Sequence, residues 1–232
     1  MRKLSNFLKL KHPSGLVDNS NLNSEVSPLQ PLSENTTITL DGSQDTATLQ
    51  AIVDSIPKNL GGFRLEFYLD PSPPHNLVFN NFYNGEININ TLIVLDADFD
   101  VDTLFMFNNV TALINFIGIT VNLNGHQLFA FPIQATNCPY VKITNADFHD
   151  MSMAHDFNYL AQFNNSNVIM ENVNIMTPSP SNTLISAAFL SNMYVQSSYG
   201  VTFDIGFGST LKSSSTIANV NSDSSSLIIQ PS

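Results

Sequence analysis

Four aspartates, Asp96, Asp98, Asp100 and Asp102, alternate with apolar or small residues over seven positions. In an extended segment all four carboxylates would share one face. Such crowding raises carboxyl pKa values or draws in a hard cation such as calcium. The plain reading is a solvated acidic edge, and the sharper ones are a weak metal site or a catalytic carboxylate. A second cluster, His149, Asp150, His155 and Asp156, combines two imidazoles with two carboxylates. It has the donor types of a metal site but equally those of a hydrated loop between two elements. Rings offer a third chemistry: Tyr140, Phe157, Tyr159, Tyr194 and Tyr199 could stack against sugar faces, although packing is the default role of an aromatic.

What must position these residues is a repeat. Asn109, Asn137, Asn165 and Asn192 recur at steps of 28, 28 and 27. Short alternating stretches follow, clearest in Val141-Lys142-Ile143-Thr144 and Val168-Ile169-Met170-Glu171, each closed by a further asparagine, Asn145 or Asn172. Alternation at period two predicts strands with Val141 and Ile143 inward and Lys142 and Thr144 outward. Asparagine tolerates a left-handed backbone and bonds locally through its amide, so it suits the turns between strands. Coils of 26–28 residues stacked at strand spacing would pile like residues into columns, an apolar one inside and amide ladders at the corners. Looser copies at 85–90, 113–117, 63–69 and 200–205 bring the expected total to five or six coils.

Composition agrees with such a stack. Only 12% of residues are charged, and the 29 asparagines far outnumber the 8 Lys+Arg, so amides rather than charges keep the surface polar. The net charge is −11. Arg2, Lys3, Lys9 and Lys11 all precede the first acid, Asp18, which leaves an acidic body unsuited to nucleic acid. With one cysteine, Cys138, there is no internal disulfide. Ser5, Asn6 and Lys9 interrupt any apolar core of a secretory leader, and no apolar run is long enough to insert in a membrane. No cofactor is expected.

The ends differ from the repeat. Leu49, Ile52, Val53 and Ile56 form an apolar helical stripe within 45–56, with Asp45 or Ser43 as cap and Pro57 as stop, suited to covering the open end of a stack. The expected organisation is an extended arm over 1–36, strand and capping helix over 37–62, the β-helix over 63–208, and a Ser-rich cap or oligomerisation segment over 209–232.

The run from Asn137 to Phe148 resembles a rung of the pectate-lyase-like right-handed parallel β-helix superfamily. Leu40-Asp41-Gly42 followed by the helix and by Ile56-Pro57-Lys58-Asn59-Leu60-Gly61-Gly62 is similar to a module of phage and prophage tail fibres and tailspikes. The resemblance covers roughly 37–208. It implies a homotrimeric virion protein of the tail or fibre, made in the bacterial cytoplasm, held to other virion or baseplate proteins through residues 1–36 and facing a host surface polysaccharide. Lyases of this fold pair calcium-holding carboxylates with a basic proton acceptor. Within the solenoid only Arg64, Lys142 and Lys212 could serve, and none stands beside an acid cluster in the sequence. The hydrolases' Asn-Thr-Asp, Asp-Asp and Gly-His-Gly signatures are missing. A non-catalytic structural or attachment role is therefore the expectation. The alternative is a polysaccharide lyase or glycosidase using Asp98, Asp100, His149, Asp150 and Asp156.

Overall fold

The computed structural model describes residues 30–41, 44–69, 76–94, 105–122, 133–149, 158–176, 183–188, 190–196, 202–215, 217 and 220–231. In chain order the first elements are β1 (Thr36–Leu40), α1 (Thr46–Ser55), β2 (Arg64–Leu69), β3 (Leu77–Asn80), β4 (Glu86–Val94), β5 (Phe105–Asn108) and β6 (Leu113–Ile117). The middle holds β7 (Thr120–Asn122), β8 (Ile133–Thr136), β9 (Val141–His149), β10 (Asn158–Asn164) and β11 (Asn167–Met176). The last are β12 (Thr183–Ala188), β13 (Asn192–Gln196), β14 (Thr202–Ile205), β15 (Thr210–Ser213), β16 (Val220–Ser222) and β17 (Leu227–Ile229).

These strands form two sheets, and the chain alternates between them. Sheet one runs β1-β2-β4-β6-β9-β11-β13-β15-β17, with β7 beside β4 and β9, and sheet two runs β16-β14-β12-β10-β8-β5-β3. The paired strands are parallel throughout, so the protein is a parallel β-helix, with one short helix among the described residues.

Alternating side chains explain why the coils stack in one register. Ile38, Phe67, Ile89, Phe116, Ile143, Met170 and Val195 lie one above another on sheet one, all buried. A slip of one residue would turn such a column to solvent. The facing column of sheet two includes Phe79, Phe107, Ala135 and Phe163. Rings link the two columns: Phe79 stacks on Phe107 at 4.8 Å between centroids, and Phe67 meets Phe79 edge-on at 5.1 Å. Each large side chain buried in this way contributes about 1.5–3 kcal/mol.

The helix seals the first coil. Asp45 caps it by accepting from Thr48 N at 2.8 Å, and Leu49, Ile52 and Val53 are buried beneath it. Gln50 does more than cover. Its carboxamide donates to Val78 O and accepts from Val78 N, both at 2.8 Å. A side-chain amide thus stands in for the missing neighbour of β3, the outermost strand of sheet two, and protects that edge from other chains.

The circumference is not constant, contrary to expectation. Equivalent asparagines are 28 residues apart at Asn80/Asn108, Asn109/Asn137 and Asn137/Asn165. The step falls to 25 at Asn167/Asn192, 18 at Ser191/Ser209 and 17 at Gly208/Ser225. Coils of the expected length therefore occupy only the middle, and the stack narrows toward β17. It also continues beyond residue 208, because β15, β16 and β17 pair in parallel with the strands before them.

In the narrow coils a carboxylate replaces the amide ladder. Asp223 accepts from the Ser226 hydroxyl at 2.7 Å, from Phe207 N at 2.7 Å, and from the hydroxyl and N–H of Ser225 at 2.8 and 3.0 Å. These donors, the Ser226 hydroxyl foremost, hold its carboxyl far below the usual carboxylate range. A folded-state pKa below the unfolded value of about 3.9 gives stability that is present above that value and is lost as pH falls toward the folded one. Hydrogen-exchange protection of the Phe207 amide should therefore decline below about pH 4 relative to that of the Asn137 amide. Asp223→Asn should remove this pH dependence, and an unchanged profile in that variant would contradict the assignment.

Candidate functional site: an amide-lined corner

Where the chain turns from sheet two into sheet one, each coil must reverse within a few residues. The middle coils do so through an asparagine with positive φ: Asn81 (61°), Asn109 (54°), Asn137 (56°) and Asn165 (47°). A left-handed backbone costs most residues about 1–2 kcal/mol, and asparagine tolerates it best after glycine. The side chains then bond along the stack. Asn137 Nδ2 donates to Asn109 Oδ1 at 2.8 Å, and Asn165 Nδ2 donates to Asn137 Oδ1 at 2.9 Å.

Asn192 does not belong to this column, although the 27-residue step suggested it. Its Nδ2 donates to Asn167 Oδ1 at 2.9 Å, and Asn167 Nδ2 donates to Pro139 O at 3.2 Å. The left-handed position above Asn165 is held by Leu190 (φ 59°), and one coil later by Phe207 (φ 52°), whose carbonyl accepts from Leu190 N at 3.1 Å. The reason is the shortened coil: with Asn167 and Asn192 in register, the residue two places earlier falls where the asparagine ladder would have continued.

Just inside the turn runs a second ladder that periodicity did not reveal. Cys138 N donates to Ser166 Oγ, Ser166 N to Ser191 Oγ and Ser191 N to Ser209 Oγ, at 3.1–3.2 Å. Ser166, Ser191 and Ser209 are all buried. Backbone N–H groups that the tight turn would leave without a carbonyl thus find a hydroxyl on the next coil. The detectable signal was the small residue after three of the left-handed positions, in Asn137-Cys138, Asn165-Ser166 and Leu190-Ser191.

Cys138 occupies the first place in that inner column. Burial pushes its thiol up to about 11, so the nucleophilic thiolate is scarce at neutral pH. A thiol-reactive disulfide at pH 8 should modify native Cys138 only at the rate at which the coil opens, and added denaturant should bring on full reaction. Fast stoichiometric labelling of the native protein would refute this placement.

On the outside of the corner lies a groove of about 380 Å³ lined by Asn137, Pro139, Asn165, Asn167, Leu190 and Asn192. Tyr140, adjoining Pro139, is 60% exposed, and Leu190 is 67% exposed. The groove lining has no ionisable side chain. Its chemistry is hydrogen bonding from carboxamides beside small apolar faces, which suits recognition rather than proton transfer.

The opposite corner carries the other asparagine pair. Asn145 and Asn172 are left-handed (52° and 54°), and Asn172 Nδ2 donates to Asn145 Oδ1 at 3.0 Å. Gly118 (φ 60°) takes the equivalent place one coil earlier, its N–H donating to Thr144 O. On the outer face of sheet one two cations are engaged, Lys142 with Glu171 at 3.0 Å and Arg64 with Glu86 at 3.1 Å.

Asp96, Asp98, Asp100, Asp102, Asp150, His155, Asp156, Phe157 and Tyr199 lie outside the described residues. His149 ends β9, its backbone in register with Asn122 and Met176. Tyr159 belongs to β10. Tyr194, in β13, pairs with Ile169 and Lys212 across sheet one and is not part of the groove lining. Among the described residues no three His, Cys, Asp or Glu side chains gather closely enough to hold a metal ion.

Fold and corner together define a parallel β-helix whose coils are joined by carboxamide ladders and whose groove is built from the same carboxamides. No protein-family model, curated protein or solved structure matches the chain.

Proposed function

We propose that the protein is a non-catalytic structural and host-attachment component of a phage tail fibre or tailspike. In this reading it is made in the bacterial cytoplasm and incorporated into the virion as a homotrimer, with residues 1–36 joined to other virion or baseplate proteins. The observation that carries the reading is the continuous parallel stack from β1 to β17, in which each coil is hydrogen-bonded to the next through backbone and side chain alike. Such a stack is a stiff spacer, since each coil touches only its neighbours and bending requires opening an interface. A surface groove of amides and apolar faces supports attachment over turnover.

Two measurements test it. Light scattering on the purified full-length chain should give three times the 25.5 kDa chain mass, and a single-chain mass would count heavily against a fibre. Incubation with capsular polysaccharide and lipopolysaccharide should release no reducing ends and no unsaturated sugars. Product release that Asp150→Ala abolishes would establish the lyase or glycosidase alternative.

A further inference from the structure

The two asparagine columns of the corner, Asn109-Asn137-Asn165 and Asn167-Asn192, share one polarity and end on successive coils. In both, the later coil donates and the earlier one accepts, so each column ends in an amide oxygen. Asn165 Oδ1 ends the outer column because Leu190 follows it, and Asn192 Oδ1 ends the other. Neither oxygen has a partner among the described residues, and both residues line the groove. The interruption is itself costly. Leu190 holds a left-handed backbone that an asparagine would adopt with less strain, yet its side chain packs into no core. Phe207 repeats the pattern one coil on, left-handed and 61% exposed. Strain kept at two successive exposed apolar residues, beside two unpaired acceptors, marks a surface shaped for a ligand.

We infer that this corner binds a neutral, hydroxyl-rich glycan, with sugar hydroxyls donating to Asn165 Oδ1 and Asn192 Oδ1 and a sugar's apolar face resting on Leu190. This rests on the attachment reading above in taking a surface glycan as the ligand, and it adds where the glycan binds and what charge it carries. Two terminal acceptors call for donors, which hydroxyls supply. A carboxylate or sulfate would set oxygen against oxygen, with no cation in the lining to offset it and a net charge of −11 on the chain. An acidic polymer is thereby disfavoured at the site.

The test uses the full chain and two probe panels in saturation-transfer NMR and calorimetry: neutral manno-, galacto- and gluco-oligosaccharides, and acidic oligogalacturonate and oligosialate. Leu190→Asn is the informative variant, because Asn at 190 extends the ladder onto Asn165 Oδ1, relieves the backbone and removes the apolar face. It should melt at a higher temperature than the natural chain while losing at least tenfold in affinity for the neutral ligand. Asn192→Ala should lose a similar factor with its circular dichroism unchanged. Neutral binding that survives both substitutions overturns the site. Binding of acidic oligosaccharides alone overturns the inference but leaves the attachment reading standing. Failure of both panels, together with failure to bind whole host cells, overturns both. A change in oligomeric mass in Leu190→Asn would make the corner a subunit contact and end the glycan assignment.

Discussion

Phe79→Ala should lower the free energy of unfolding by about 4 kcal/mol, within the range of about 3–5 seen when a buried phenylalanine is truncated. Phe79 is fully buried where three rings meet it: Phe107 stacked at 4.8 Å, Phe67 edge-on at 5.1 Å and Phe82 tilted at 6.0 Å. Its strand cannot sink into the void, because β3 is tied in register to β5 on one side and to the Gln50 carboxamide on the other. A cavity that cannot relax costs more than transfer alone. Phe79→Leu, which keeps most of the volume, should cost roughly 1–1.5 kcal/mol. Guanidinium titration followed by circular dichroism measures both. A loss below 1 kcal/mol in the alanine variant would mean that the aromatic column does not hold the first coils together.

The second large effect concerns Asn137, where backbone and side chain can be separated. Asn137→Ala removes two ladder bonds, each worth about 0.5–1.5 kcal/mol net, and forces a Cβ-bearing residue without a local amide to hold φ at 56°. The expected total is about 2–3 kcal/mol. Asn137→Gly loses the same bonds but accepts the backbone freely, so it should cost less than alanine by about 1 kcal/mol. Exchange protection of the Asn109 amide, which bonds Thr136 O, should fall in the same order. Equal losses in the two variants would show that the left-handed turn is not the reason for asparagine here.

Much of this stack was legible because its middle coils repeat in both length and character. The alternation over 141–144 placed Val141 and Ile143 inside and Lys142 outside, and the fold buries the first two and engages the third with Glu171. The helix could be read from Leu49, Ile52 and Val53 and from Asp45, because capping and amphipathic spacing are local rules. What remained hidden depends on register between coils. Asn192 kept the rhythm of the asparagines while the coil beneath it had shortened, so identical residues at matching intervals ended in different columns. Nothing in propensity points to Leu190 or Phe207 as left-handed. The serine ladder is not legible in the sequence because a buried hydroxyl and a solvated one look alike there. The groove combines both situations: Asn137 and Asn165 stood out as ladder residues, but their meeting with Pro139, Asn167 and Leu190 exists only once the coils are stacked.

Carboxamides and hydroxyls neither gain nor lose a proton between strong acid and strong alkali, and dissolved salt screens them little. A stack clamped by Asn109, Asn137 and Asn165 outside and by Ser166, Ser191 and Ser209 inside should therefore be largely indifferent to brine, gut acid or alkaline runoff through its middle. The ionisable exceptions among the described residues include the Lys142–Glu171 pair and the Asn174–Asp147 bond on the middle coils and the Asp223 clasp on the last ones. Acid would therefore loosen the Asp223 clasp while the carboxamide and hydroxyl ladders of the middle coils hold.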